Sequence, residues 1–346
     1  MTEVARSDDD GRRRARLVLA LLALFGSGLF LLSFLIGHYP LTNGQVVRIL
    51  SSRIIGAGGD WSQTTETVVL GVRLPRILAA VLTGAALAAA GATYQTMFRN
   101  PLASPAVLGV SAGAGFGASL ALLLQSPSSL VQASAFLFGL IAVSITLLCS
   151  GRFAGSSPVT LVLAGMVVAA IFQALIAGLK YVADPTDALP TITFWLLGSL
   201  ARVTMDQVAV ATAPVVVGFG LLWIRRWRIN IAALPEEEAR ALGIDARSLR
   251  LVAIVASTLA TAAAVSLAGI VGWVGLLVPH MARMVVGSDF RDLLPVSAAM
   301  GGVFLLLIDD LCRGATATEV PLGIVTALIG APIFLYLLAK ARGGWF

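Results

Sequence analysis

Apolar runs of about twenty residues recur from one end of this chain to the other, and that repetition constrains the fold more than any single motif. A helix rises 1.5 Å per residue, so about 20 apolar residues cross a hydrocarbon layer of about 30 Å. Ten runs qualify: Leu17–Ile36, Ile77–Thr96, Ala106–Leu124, Val131–Leu148, Val159–Leu179, Val208–Ile224, Leu251–Leu267, Ile270–Val286, Leu293–Leu311 and Val320–Leu338. Hydrophobic residues make up 58% of the chain and charged residues only 12%, against about 25% charged in soluble domains. The runs are apolar all round, whereas a soluble helix keeps a polar face. The sequence predicts an all-α polytopic membrane protein of about ten transmembrane helices. Residues 1–16 read as a cytoplasmic tail and residues 17–346 as one transmembrane domain. Gly and Pro interrupt the third and eighth runs, so irregular backbone is expected there.

The net charge is +6, but the basic residues are spread over the loops between runs, which speaks for membrane orientation and against nucleic acid. With the N-terminus inside, 17 of the 24 Lys and Arg fall on the cytoplasmic side. The other 7 are Arg48, Arg53, Arg73, Arg76, Lys180, Arg202 and Arg313. An even number of spans places both termini in the cytoplasm. Leu17–Ile36 has full spanning length and no small-residue cleavage site after it, so it reads as an uncleaved helix. Cys149 and Cys312 fall at opposite membrane faces and are not expected to pair. His38 and His280 are isolated, and no metal site is expected.

Arg76–Gly91 and Arg250–Val265 share their Arg, the Ala at the fourth position, the Val at the sixth and three consecutive Ala. One runs inward and the other outward, which is the form of an inverted repeat. The two lysines, Lys180 and Lys340, follow Leu and Ala. A phosphate-cradling loop needs Gly-Lys-Ser/Thr, so ATP-driven work would require another subunit. No nucleophile–base–acid set is evident. An ion-coupled carrier would need a buried ionisable relay, and Asp309 is the candidate for one. A non-transport scaffold would need neither a relay nor interrupted spans.

The polar stretch of residues 225–250, RRWRINIAALPEEEARALGIDARSLR, faces the cytoplasm in this topology. Pro235 and Glu236–Glu238 suit a helix start, and Gly243 suits a stop. A helix of about two turns is expected, with Ala239, Leu242 and Ile244 as an apolar stripe for a soluble partner.

Four blocks carry a family resemblance. Arg73–Gly117 joins Arg-Leu-Pro-Arg, an Ala/Gly-rich helix, Arg99-Asn100-Pro101-Leu102-Ala103-x-Pro105 and a Gly-rich helix. Leu234–Gly243 reads Leu-Pro-Glu-Glu-Glu-Ala-Arg-Ala-Leu-Gly. The others are Gly269–Arg283 and Glu319–Pro332. Together they resemble FecCD/BtuC-type permeases, the membrane subunits of ABC importers for iron–siderophores, haem, cobalamin and molybdate. Trp273 departs from the family's more frequent Phe, and the coupling block carries one extra residue. The resemblance implies two permease copies, usually identical, around a central pathway in a bacterial inner membrane. It also implies two ATP-binding subunits below and a substrate-binding protein above. ATP and Mg would sit on the ATPase, with no cofactor on this chain. Iron–siderophore or haem is the leading substrate class, followed by cobalamin and oxyanions.

By that resemblance, Leu234, Glu236, Glu237, Glu238, Ala239, Arg240, Leu242 and Gly243 form the ATPase-coupling region. Arg73, Arg76 and Arg313 form a basic docking surface for the binding protein, unless they are interfacial arginines with their heads in water. Ser156, Ser157 and Thr160 lie where the family has its inner gate. Tyr94, Gln95 and Gln173 either face the pathway or hydrogen-bond between helices. Gly84, Gly91, Gly109, Gly113, Gly115 and Gly117 read as close-packing positions. Asp184–Pro190 reads as an outer turn before a half-helix at Thr191–Leu200. On this reading, Arg73→Glu with Arg76→Glu weakens binding-protein docking and leaves the fold intact.

Overall fold

The computed structural model describes residues 2–340 apart from 57, 58, 60, 154–157, 233–235 and 315–317. Its helices, in chain order, are α1 (Thr2–Ser33), α2 (Asn43–Ile55), α3 (Gln63–Glu66), α4 (Leu74–Met97), α5 (Val110–Leu123), α6 (Ser128–Phe153), α7 (Pro158–Val182), α8 (Ala188–Leu196), α9 (Met205–Ala232), α10 (Glu236–Ala241), α11 (Ala246–Ala268), α12 (Val274–Val286), α13 (Phe290–Gly314) and α14 (Leu322–Lys340). A π-helical stretch, Thr67–Arg73, joins α3 to α4. Among the described residues, seven helical segments are long and apolar enough to cross a membrane, in α1, α3–α4, α6, α7, α9, α11 and α13. Shorter apolar helices at α5, α12 and α14 complete the ten spans expected from sequence.

The interruptions fall where Gly and Pro predicted them. Pro105–Leu108 is a 3-10 turn and Gly109 sits at φ +85°, so α5 begins only at Val110. The eighth span starts at Val274, four residues late, because Gly269 and Trp273 both take positive φ. Residues 2–16, read as a tail, are helical and continuous with the first span. Two details of the sequence reading change. The half-helix begins at Ala188, inside the predicted turn, and ends at Leu196. The loop after the first span contains α2, opened by a capping box in which Gln45 N–H donates to Thr42 Oγ1 and Thr42 N–H donates to Gln45 Oε1.

The helix order carries the inverted repeat. α4 to α7 measure 24, 14, 26 and 25 residues, and α11 to α14 measure 23, 13, 25 and 19. In each half the short second helix follows a positive-φ break. The first helices, α4 and α11, are the structural centre, with 78% of their apolar stretches enclosed, against 28% for α7 and α9.

Apolar burial gives little association energy within lipid, so close contact must replace it. Small residues permit that contact. A Cβ on Gly84 would lie 2.1 Å from the Gly301 carbonyl oxygen, and one on Gly91 would lie 1.9 Å from that of Gly275. The seams α4–α13 and α4–α12 are therefore backbone-to-backbone. Away from the basic loops, three main-chain hydrogen bonds fasten another junction: Ser199 N–H to Ala268 O, Leu322 N–H to Gly198 O and Gly323 N–H to Leu197 O, each 2.9 Å. They tie the chain after α8 to the end of α11 and the start of α14.

Gly84→Val or Gly91→Val is expected to lower the melting temperature of the detergent-purified protein, with a cost of about 1–3 kcal/mol or more for overpacking. Gly28→Ala, with open space at its Cβ, is the matched control. Equal melting of all three would refute the packed seam.

Candidate functional site

At the end of the molecule away from the basic loops, the three candidate docking arginines are not a surface. Arg73, Arg76 and Arg313 are 4%, 5% and 5% exposed. Arg76 Nε donates to both oxygens of Asp309, at 3.0 and 3.1 Å, and its Nη1 donates to Glu319 at 2.7 Å. Arg313 pairs with Asp309 at 3.2 Å and with Asp310. Ser33 Oγ donates to Asp310 Oδ2 at 2.6 Å, bringing in α1. Arg73 donates to the carbonyls of Phe34 and Tyr39 and so holds the turn after α1. Asp309 is fully buried and committed to two guanidiniums, which gives it a structural role in place of a relay. Reversal at Arg76 would set a carboxylate against Asp309 and Glu319, so Arg73→Glu with Arg76→Glu is expected to strain the fold as well as to weaken docking.

On the basic face, α10 spans Glu236–Ala241, close to the two turns expected. Gly243 takes φ +73° and Ile244 N–H donates to Ala239 O, closing the helix. Asp245 then caps α11 by accepting from the N–H groups of Arg247 and Ser248. Ala239 is buried, Glu238 is exposed, and Leu242 is 61% exposed. The apolar stripe thus splits, Ala239 inward and Leu242 to the outside. Leu234 lies outside the described residues, as do Ser156 and Ser157 of the proposed inner gate; Glu236, Glu237 and Arg240 are placed by backbone only.

Among the basic loops lies a cavity of about 520 Å³, lined among others by Gln95, Thr96, Arg99, Asn100, Asn230, Arg283 and Asp289. Asp289, at the start of α13, accepts from Asn230 Nδ2 at 2.7 Å and from Arg291 Nε at 2.8 Å. Burial alone would raise its carboxyl; the hydrogen bonds from Arg291 and Asn230 outweigh it and hold the group below its ordinary value. Asn230 Oδ1 accepts from Phe290 N–H, so the end of α9 is clasped to α13.

The candidate pathway residues separate. Tyr94 is buried between α4 and α11, with its hydroxyl 3.5 Å from Thr258 Oγ1 and its ring stacked on Phe98. Gln95 donates to Leu276 O at 2.9 Å and lines the basic-face cavity. Gln173 alone is exposed, on an α7 face that also bears Leu163, Met166, Val167, Ile171 and Leu175. Thr160 is half-buried at the start of that helix. Trp273 packs into the space left by Gly330 and meets Phe334 edge-on at 6.2 Å. Sequence reasoning missed Asp310, Glu319 and Ser33 as network members. Asp309 and Asp310 stand one turn before Arg313, and that spacing was the available signal.

An all-helical bundle with an internal repeat, broken second helices and a projecting helix on its basic face defines a multi-pass permease. The chain belongs to the FecCD transport family, whose model matches residues 21–340, and is an ABC importer permease. It is 37% identical to the molybdate import system permease protein MolB of Haemophilus influenzae, across 93% of this chain and 96% of that one. It is 35% identical to the Fe(3+)-citrate import system permease protein YfmE of Bacillus subtilis, across 94% and 96%. A solved transporter assigned to the metal-chelate ABC type, in an inward-facing conformation, superposes with a TM-score of 0.85 at 35% identity, across 94% of this chain and 99% of that one.

Asp309→Asn is expected to leave two guanidiniums poorly compensated and to cost about 3–5 kcal/mol. Thermal unfolding in detergent measures it, and wild-type stability in the variant would show that the carboxylate holds nothing.

Proposed function

We propose that this chain is the membrane subunit of a binding-protein-dependent importer that moves an iron chelate, a siderophore complex or haem, into the cytoplasm. A separate ATPase subunit drives it, and this chain makes and breaks no bonds. The observation that carries the reading is α10, a short helix presented with an exposed Leu242 on the basic face of a chain that has no phosphate-binding loop of its own. In a P-loop-less permease, such a helix is where a soluble motor transmits movement. The coupling residues are Leu234, Glu236–Glu238, Ala239, Arg240, Leu242 and Gly243.

Two copies of the chain enclose the pathway on this reading, with α7 facing the partner. Gln173 supports it, since a carboxamide facing lipid would leave its polar groups unsatisfied. Ser156, Ser157 and Thr160, at the start of α7, serve the inner gate. The binding protein docks on the face that holds the arginine network, where Glu319 is the partly exposed partner of Arg76. The iron class is favoured by the metal-chelate neighbour and the Fe(3+)-citrate relative. The molybdate relative supports an oxyanion as the second reading.

The test is uptake of labelled ferric siderophores, haem, cobalamin and molybdate in a strain lacking this gene and redundant importers. Iron-chelate or haem uptake should return with the wild-type gene and stay absent with Glu236–Glu238 changed to Ala. Restoration of molybdate alone would establish the second reading; restoration of none would remove the substrate assignment.

A further inference from the structure

The basic-face cavity shares no lining with the α7 face proposed above to meet the partner copy. α7, α8 and α14 contribute nothing to its lining, which comes from α4 and the loop after it, the end of α9, α12, and the turn into α13. Its charge is unbalanced. Asp289 is the one carboxylate in the lining, and Arg291 and Asn230 already occupy it. Arg99 and Arg283 remain. Among the described residues Arg283 has no carboxylate partner: its Nε is buried without a hydrogen bond, and its Nη2 reaches only Thr96 Oγ1 at 3.4 Å. Across the same cavity Gln95, 1% exposed, keeps a buried Oε1 with no donor.

A half-buried guanidinium whose Nε is enclosed without an acceptor is costly, and a planar fork of donors suits a tetrahedral oxyanion. Arg99 reinforces the match from the loop side. Its backbone is held at φ +47° by its own N–H donating to Thr96 O, and such non-glycine strain collects at functional sites. The unsatisfied Gln95 acceptor calls for a donor, which a protonated phosphate or a headgroup hydroxyl supplies. At about 520 Å³ the space far exceeds the roughly 30 Å³ of one water. Basic pockets between membrane helices on the positively charged face suit anionic headgroups.

We propose that the cavity between Arg99 and Arg283 is a binding site for a phosphate-class oxyanion, filled by an anionic phospholipid headgroup or by free phosphate. The bound group neutralises Arg283, accepts from Arg99 and donates to Gln95. It thereby bridges the loop after α4, the end of α12 and the clasp between α9 and α13. It is an accessory ligand, distinct from the cargo.

The full-length permease is purified in detergent and probed in two arms. Native mass spectrometry follows retention of phosphatidylglycerol against a phosphate-free galactolipid, and calorimetry titrates inorganic phosphate. Charge-assisted hydrogen bonds of this kind predict that Arg283→Gln and Arg99→Gln each weaken binding about tenfold or more, with Arg283→Lys between them and wild type. Loss confined to phosphatidylglycerol identifies the lipid source; loss of phosphate binding identifies the free anion. Equal binding of both probes by wild type and both Gln variants overturns the proposal. So does loss of ATPase-subunit association without loss of either probe, which would assign the arginines to a protein contact. If Arg283→Gln aggregates, Arg99→Gln decides alone, because Arg99 is exposed.

Discussion

One fully buried carboxylate sets the register of this bundle. Asp309 is held between Arg76 on α4 and Arg313 on its own helix, and neither charge is stable there without the other. Eight residues separate Arg76 from Gly84, and eight separate Gly301 from Asp309. α4 and α13 run in opposite directions, so one alignment satisfies both the ion pair and the glycine seam. A one-residue slip would bring Cβ atoms into the seam and strand the charges. The ionic contact is poor evidence of net stability by itself, but it selects one packing among the many that Ala-rich helices permit.

How much of this was legible in the sequence differs from element to element. The ten spans were, because lipid permits only long apolar helices. The breaks before α5 and α12 were, because Gly and Pro mark them. The ends of α10 were, because Glu236 and Gly243 carry local capping chemistry. The arginines were misread because snorkelling, docking and burial use the same residue at the same helix end. Only the fold brings Asp309 and Glu319 to Arg76, across more than 230 positions in each case. The half of the signal lying within α13, Asp309 and Asp310 before Arg313, was readable. α2 was hidden behind an outer loop, although Thr42 and Gln45 announced its start.

The two ends of the molecule use charge in different ways. Around Asp309, arginine and carboxylate are matched and enclosed, and the region is a fixed frame. On the basic face, Asp289 is spent on Arg291 and Asn230, and Arg283 is left over. Matched charge reads as architecture, whereas surplus charge beside a cavity reads as an invitation to a ligand. That contrast, more than any motif, separates the structural arginines from the two proposed to bind.

The junction between the chain after α8, the end of α11 and the start of α14 is fastened by three main-chain hydrogen bonds as well as by side-chain packing. Hydrogen bonds between main chains are indifferent to what the side chains are. Substitutions of the exposed side chains around that junction leave those bonds in place, provided the glycines that allow close approach remain. A lineage could retool the surfaces that meet its cargo while inheriting the same chassis, and relatives named for molybdate and for ferric citrate match this chain almost end to end. Evolvability here is a property of where the hydrogen bonds lie.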